Sequence, residues 1–309
     1  MDVLVHANRL KLVLFLFVIF TNEVQAQDSA DLFELHDQVS QNLVNMAKKV
    51  DTFFFNVKDV DTHNQTNIRF YQVFSKTESQ DLKKEFYFRL NLDLPNIEKK
   101  FRFSLERRSE TQVDASAVSK ESLVTEVDRP NEVRGGFSYL FERIFDFDIK
   151  VSSGVKVSIP PTPFIELKLN RDFLIFNGQL RFYANTFWSH RNGLGQSAAL
   201  DYDYKLFENF LLRFSNEASW TDTTDRIFVS HGPTLFHTIS DRRIMAYSVR
   251  ANYVNKPIYV LDNYDLSIHY RQTVVSRILF YELVPRLNFP RANGFKKVYS
   301  AMLKFELVF

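Results

Sequence analysis

The chain holds no cysteine and only 8 glycines and 9 prolines among its 309 residues. Without cysteine there is no disulfide, thiolate metal site, cysteine nucleophile or lipid-bearing N-terminal cysteine. An exported chain of this kind must be stabilised by something other than oxidative cross-links. So little glycine and proline excludes collagen-like and low-complexity classes. Long apolar runs are missing as well. Leu12–Phe20, LVLFLFVIF, is far short of the roughly 20 residues a membrane-spanning helix needs, and charged residues make up 25% of the chain. A polytopic helical membrane protein is therefore excluded. A net charge of +2 gives no field that would draw nucleic acid. There is no HExxH and no glycine-rich phosphate loop, and the seven histidines are scattered. No cofactor and no metal are expected.

Aromatic mass is plentiful. The 32 Phe, 13 Tyr and 2 Trp are too many to leave solvated in a disordered chain. Residues 1–26 read as a secretory signal peptide: Arg9 and Lys11, then the apolar run, then Val24-Gln25-Ala26 before a cut. Residues 28–55 have helical spacing. Leu32, Leu35, Val39, Leu43, Met46, Val50 and Phe53 form one apolar stripe. This predicts an amphipathic helix within a segment 27–64, either packed on a neighbouring surface, plugging a lumen or docking a periplasmic partner.

From about residue 66 the period changes from 3.6 to 2. Phe86, Phe88, Leu90, Leu92 and Leu94 alternate with Tyr87, Arg89, Asn91 and Asp93; Leu266, Ile268 and Tyr270 alternate with Ser267, His269 and Arg271. Each such run puts one face in apolar surroundings and the other in water. About 14 of these runs follow one another to residue 309, or 12 if the weakest are dropped. Tight connections, such as Phe145-Asp146, Arg171-Asp172 and Ser240-Asp241, alternate with longer ones, such as Thr221–Asp225 and the polar stretch Arg108–Gly135. That alternation is expected of a barrel with short turns at one end and longer loops at the other. Inside hydrocarbon every backbone polar group must be paired, which leaves helices or a closed barrel. With no hydrophobic helices, the expected fold is all-β: a transmembrane antiparallel β-barrel over residues 65–309, preceded by the amphipathic helix. A soluble β-sandwich is the alternative.

The last run, YSAMLKFELVF, places Tyr299, Ala301, Leu303, Phe305, Leu307 and Phe309 on one face and ends on Phe309. It resembles the closing strand of bacterial outer-membrane β-barrels, with Phe305, Leu307 and Phe309 in the position of their assembly signal. LDLPNIEKKFRF and LFYELVPRLNFP resemble segments of a family of uncharacterised proteobacterial outer-membrane proteins. The resemblance implies residence in the outer membrane of a Gram-negative cell. It also implies contact with outer-membrane lipid and recognition of the C-terminal strand by the barrel-assembly machinery, and it leaves room for a periplasmic protein partner.

In this register the inner face is charged. Arg89, Lys150, Lys156, Lys168, Arg181, Arg213, Arg250, Arg271, Arg286 and Lys304 are its main cations. Asp201, Asp203, Glu217, Glu282 and Glu306 are its main anions, and His269 joins them. Moving one of these charges to the lipid face costs about 2–4 kcal/mol near the midplane, so the interior is expected to be polar. Either the charges line a channel for small polar solutes or ions, or they pair and fill a closed, docking barrel. Fourteen strands enclose more space than side chains fill easily, since about eight already give a filled interior. Catalysis is not expected. Ser230-His231, His237 with Ser240, and Ser189-His190 are the local candidates; Ser230 and His231 are strand neighbours that point to opposite faces, and His190 sits in a Gly/Asn stretch, HRNGLG, that reads as a turn.

Overall fold

The computed structural model describes residues 30–54, 67–93, 101–108, 132–144, 146–157, 159–175, 177–190, 193–255, 258–275 and 278–309. The expected leader and most of the loop Arg108–Gly135 lie outside the described residues. Among those described, helix α1 (Ala30–Phe54) precedes fourteen strands. They are β1 (Asn67–Thr77), β2 (Lys83–Asp93), β3 (Phe101–Arg108), β4 (Glu132–Ile144), β5 (Phe147–Val157), β6 (Thr162–Ile175) and β7 (Gly178–Ser189). The second half comprises β8 (Gly193–Phe207), β9 (Phe210–Thr221), β10 (Ile227–Ser240), β11 (Arg243–Val254), β12 (Val260–Val275), β13 (Leu279–Pro290) and β14 (Val298–Val308).

Every strand runs antiparallel to its sequence neighbours, and β14 returns to β1, so the sheet closes and keeps no edge. The closing register runs from Arg69↔Val308 to Thr77↔Ser300. Phe309 extends it: its N–H donates to the Ile68 carbonyl and its carbonyl accepts from the Ile68 N–H, both at 2.9 Å.

Period 2 sorts the side chains. On β14, Tyr299 and Phe305 are exposed while Met302, Lys304 and Glu306 are buried. The exposed set continues around the exterior with Phe86, Phe137, Ile165, Trp188, Phe214, Val249, Leu266 and Leu283, an apolar belt that water would not tolerate. Aromatic groups gather toward both ends of the strands: Tyr264 stacks on Phe289 at the long-loop end, and Phe207 meets Phe210 at the tight-turn end. A closed barrel, apolar outside and charged within, flanked by aromatic rings, is a membrane-spanning barrel. Among the described residues no helix is long and apolar enough to cross a membrane.

Two expectations are corrected. The turn expected at Arg171-Asp172 lies five residues later, at Asn177, whose φ of 58° is left-handed. Arg171 and Asp172 continue the strand: Arg171 pairs with Phe182, and its guanidinium lies over the rings of Phe147 and Phe173. Asn-Gly at 177–178 is the stronger turn signal, because both residues tolerate positive φ. A Cβ on Gly178 would also stand 2.4 Å from the Tyr202 ring that covers it.

The interior is also not uniformly polar. Val73, Tyr87, Val284 and Met302 form one buried apolar cluster across the β1–β14 closure. A second gathers Leu211, Phe236, Ile244 and Ala246 on the inner face of β9–β11. Inward apolar groups are tolerated where other side chains cover them and exclude water. At the second cluster the cover is the helix.

Candidate functional site in the barrel interior

Leu43, Met46, Ala47, Val50 and Phe54 of α1 pack against Leu211, Phe236, Ile244 and Ala246, so this part of the helix lies inside the barrel. Its polar face, Gln41, Asn42, Asn45, Lys48 and Lys49, stays exposed. The contacts fall at the tight-turn end: Lys49 reaches Asp241, in the turn between β10 and β11, at 2.7 Å. Phe54 packs on Phe236 with ring centroids 5.7 Å apart, and Phe53 meets Phe280 of β13 at 6.3 Å. Residues 43–54 of the helix thus occupy part of the barrel's mouth at its tight-turn end.

One charged residue breaks the helix's apolar stripe. Asp51, 4% exposed, points at the wall. There it pairs with Arg181 and accepts from Arg213 Nη2 at 2.8 Å. Arg213 also grips Asp203 with two bonds, 2.7 and 3.0 Å, and Arg181 reaches Asp203 at 2.9 Å and Asp201 at 3.8 Å. The Arg213 guanidinium lies over the Phe236 ring, 5.0 Å from its centroid. Asp51 and Asp203 are thus held by guanidinium donors, the arrangement that makes a buried charge tolerable, whereas both Asp201 oxygens are buried with no hydrogen-bond partner among the described residues.

A second cluster lies beside the closure. Glu306 accepts from Arg271 at 2.5 Å and Arg69 at 3.2 Å, while Glu282 accepts from Lys304 at 2.8 Å and Arg271 at 3.3 Å. Arg250 pairs with Glu217 at 3.4 Å. Arg286 and Asp265 are 3.9 Å apart. Across the three clusters around Asp51, Glu306 and Glu217, six cations meet six carboxylates.

The opposite wall differs. Along β2–β6 a polar cavity, partly open to solvent, runs beside the strands. The sequence makes room for it: Ser104, Gly136, Ser138 and Ser152 present almost no side chain to it. Gly136 faces Gly154 across β4 and β5, and a Cβ at 136 would stand 2.4 Å from the Ser153 carbonyl oxygen. The long side chains around this gap are Arg89, Arg102, Arg134, Lys150 and Lys168, against two carboxylates, Glu106 and Glu166. Glu106 sits between Arg89, at 3.1 Å, and Arg134. Glu166 is 3.6 Å from Lys168. The Arg134 guanidinium lies over the Phe164 ring at 5.5 Å. Lys156 shares the inner face of β5 but lies outside this group, opposite Thr162.

The candidates named from sequence thus fall into separate places. Arg181, Asp201, Asp203 and Arg213 come together at the helix. His269, Arg271, Glu282, Lys304 and Glu306 come together beside the closure. Arg89, Lys150 and Lys168 line the cavity. The helix seat was missed, although strands β9–β11 are apolar on both faces near their tight turns (Phe210-Leu211-Leu212, Ile244-Met245-Ala246-Tyr247), which is a signal for an internal apolar partner. The small residues that open the cavity were missed too.

One Ser–His pair does form. Ser267 Oγ and His269 Nε2 are 3.0 Å apart, and His269 Nδ1 lies 3.5 Å from Glu282 Oε1. Neither of the adjacent pairs considered from sequence forms it. All three side chains are buried, Glu282 is already held by Lys304 and Arg271, and none of the three lines the β2–β6 cavity. Among the described residues no group of three or more His, Asp or Glu is placed to hold a metal.

No family model matches the chain, and no curated protein matches it. Solved structures do. OprB of Pseudomonas putida in its high-pH form superposes with a TM-score of 0.53 at 9% identity, over 79% of this chain and 94% of that one. Its low-pH form gives 0.50 at 10%, over 79% and 92%. A loop-deletion mutant of OmpT, an outer-membrane protein of Vibrio cholerae, gives 0.48 at 7%, over 79% and 98%. Identities this low carry the fold and nothing finer. That fold, with the apolar belt and charged interior, is the architecture of an integral bacterial outer-membrane β-barrel.

Proposed function

We propose that the chain is a passive channel for small polar solutes or ions, with its N-terminal helix narrowing the periplasmic mouth. The observation that carries this reading is the asymmetric interior. Helix and paired charges fill the side of β7–β14, and a polar cavity extends along β2–β6. The cavity reaches from Arg102, beside the tight-turn end of β3, to Arg134, beside the long-loop end of β4. In this reading water and solute pass along that wall. In this reading Arg89, Lys150 and Lys168 line the route, while Arg181, Asp201, Asp203 and Arg213 hold the helix. The exposed apolar face of β14, with Phe305, Leu307 and Phe309, serves recognition by the assembly machinery, and the finer relationship to the uncharacterised proteobacterial family belongs to the same proposal. The Ser267–His269 pair is read as polar filling, because the carboxylate that would orient the histidine is engaged elsewhere.

The test is conductance of the refolded chain in planar lipid bilayers. Steady ion-conducting steps are expected. A folded barrel that stays silent contradicts the reading and favours a closed barrel that docks a periplasmic protein.

A further inference from the structure

On the outer surface, the long-loop end of β13, β14, β1 and β2 carries a basic rim above the apolar belt. The register sets its members side by side. Leu287 of β13 pairs with Tyr299, Pro285 with Ala301, and Ala301 in turn with Lys76 of β1. One step further into the belt, Leu303 pairs with Phe74, and Phe74 with Lys84 of β2. The Lys297 ammonium lies over the Tyr299 ring, 5.3 Å from its centroid. Arg291 and Lys296 are exposed in the loop between β13 and β14. Among the described residues the rim's carboxylates are Glu78, Asp81 and Asp262, three against these five cations. Glu78 is engaged, accepting from the Tyr299 N–H at 3.2 Å. Lys76 donates to the Gln80 carbonyl, a neutral partner. Lys83 belongs to the inner face, where it meets Glu85 at 3.3 Å.

The loop that carries the rim is built, not slack. Gly294 and Phe295 are both left-handed, with φ of 63° and 59°. Glycine takes that conformation freely, whereas a bulky residue is strained by it. The strain is offset where the ring lands. Phe295 lies over Tyr264 with centroids 5.8 Å apart, and Tyr264 stacks on Phe289 at 4.5 Å. The Phe295 N–H also donates to the Pro290 carbonyl at 3.0 Å. A stack of three rings thus fixes the backbone directly before Lys296 and Lys297.

We propose that this rim is a binding site for a glycolipid of the outer leaflet that carries two or more phosphates on its headgroup. The longer loops of such barrels face the cell exterior, so lipid phosphates at this height belong to the outer leaflet. A lysine that faces hydrocarbon is costly near the midplane and less so toward the interface. Lys76 and Lys84 stand in the register rows two and four residues below Tyr299, about 7 and 13 Å along the strand at the usual rise. Their long stems let both ammonium groups rise toward Tyr299, where phosphate oxygens meet them together with Lys296 and Lys297. Clusters of basic residues at a membrane interface attract anionic headgroups in this way. A lipid with two phosphates spans the loop lysines and the strand lysines at once, and one with a single phosphate reaches only one group. Pro285 and Ala301, small neighbours in one row, leave the surface shallow below Tyr299, where an acyl chain can lie. The proposal rests on residence in the outer membrane and is independent of passage through the lumen.

The test is native mass spectrometry of the folded full chain released from neutral detergent micelles, with three probes: bisphosphorylated lipid A, its dephosphorylated form, and phosphatidylglycerol. Retention of one lipid A per barrel is expected, with an affinity several-fold above that for either other lipid. Lys296→Glu combined with Lys297→Glu, and separately Lys84→Glu, should each weaken lipid A retention at least threefold. Phe295→Ala should weaken it too, by releasing the loop. Lys84→Arg keeps the charge and should bind as the native chain does. Arg226→Glu, at an exposed position at the same end beside β10, should leave binding unchanged. Heat-modifiable gel mobility shows that each variant is folded. Lipid A binding that survives the charge reversals in folded protein overturns the proposal, as does equal retention of phosphatidylglycerol. Equal retention of the dephosphorylated form overturns it as well, since the acyl chains alone would then account for binding.

Discussion

At the residue scale the decisive group is Asp51. It is a carboxylate set in the apolar stripe of a helix, which costs free energy unless paired, and Arg181 and Arg213 pair it. Removing one member of a buried ion pair costs about 3–5 kcal/mol, because the partner is left uncompensated. Asp51→Asn should therefore loosen the helix while leaving the strand pairing intact. In a chain free of cysteine this can be read directly: a cysteine at Val50, a position with no exposed surface, should resist maleimide in the otherwise native protein and react several-fold faster with Asp51→Asn. Equal rates contradict the latch. On the outer surface Leu303 and Leu283 face each other across β13 and β14. Leu303→Arg should cost about 2–4 kcal/mol of insertion, and Ser300→Arg, on the inner face, far less; folded yield by heat-modifiable gel mobility gives the comparison. Ser267 should stay unlabelled by a fluorophosphonate probe in the folded protein, and labelling would return catalysis to consideration. Which side chains share a face was legible in the sequence, since a period of 2 offers only two choices at each strand. What each inward charge pairs with was not, because the partners lie on neighbouring strands or, for Arg181 and Arg213, on the helix 130 and 162 residues away.

At the scale of elements, the strands and most turns follow from local pattern. The turn between β6 and β7 shows how two local signals compete. A charged Arg-Asp pair resembled a turn, but Arg171 found the Phe147 and Phe173 rings, and Asn177 supplied the positive φ. The helix was legible as a helix because its stripe repeats every three or four residues. Its location was not, because a stripe says only that something apolar covers it. The cover is written in β9–β11, as Leu211, Phe236, Ile244 and Ala246, where inward positions depart from the polar rule. Removing residues 28–60 should leave a folded barrel with larger conductance, since the strands close the barrel without the helix. Unchanged conductance would mean the helix lies outside the path. Gly136→Val should hinder assembly more than a valine at Gly294, where an added Cβ meets nothing within 4 Å. Folded yield distinguishes them, although the positive φ of Gly294 brings its own smaller strain.

At the scale of the whole molecule, closure explains why the interior holds so much charge. A closed barrel has no edge to aggregate and no unpaired backbone in the membrane, and the outer face takes the apolar residues. The lumen of fourteen strands is then too wide for side chains alone. This chain fills one side with a helix and ion pairs and leaves a polar cavity along β2–β6 on the other. The central claim is this division of the lumen, with passage along β2–β6 and none behind the helix. The most direct measurement introduces a single cysteine into the cysteine-free chain, either at Lys150 in the cavity or at Ser215 on the opposite wall, where only 1% of the residue is exposed. A charged methanethiosulfonate is then added during single-channel recording. Lasting block at the first site and an unchanged current at the second are predicted; block at Ser215 with none at Lys150 would contradict the account.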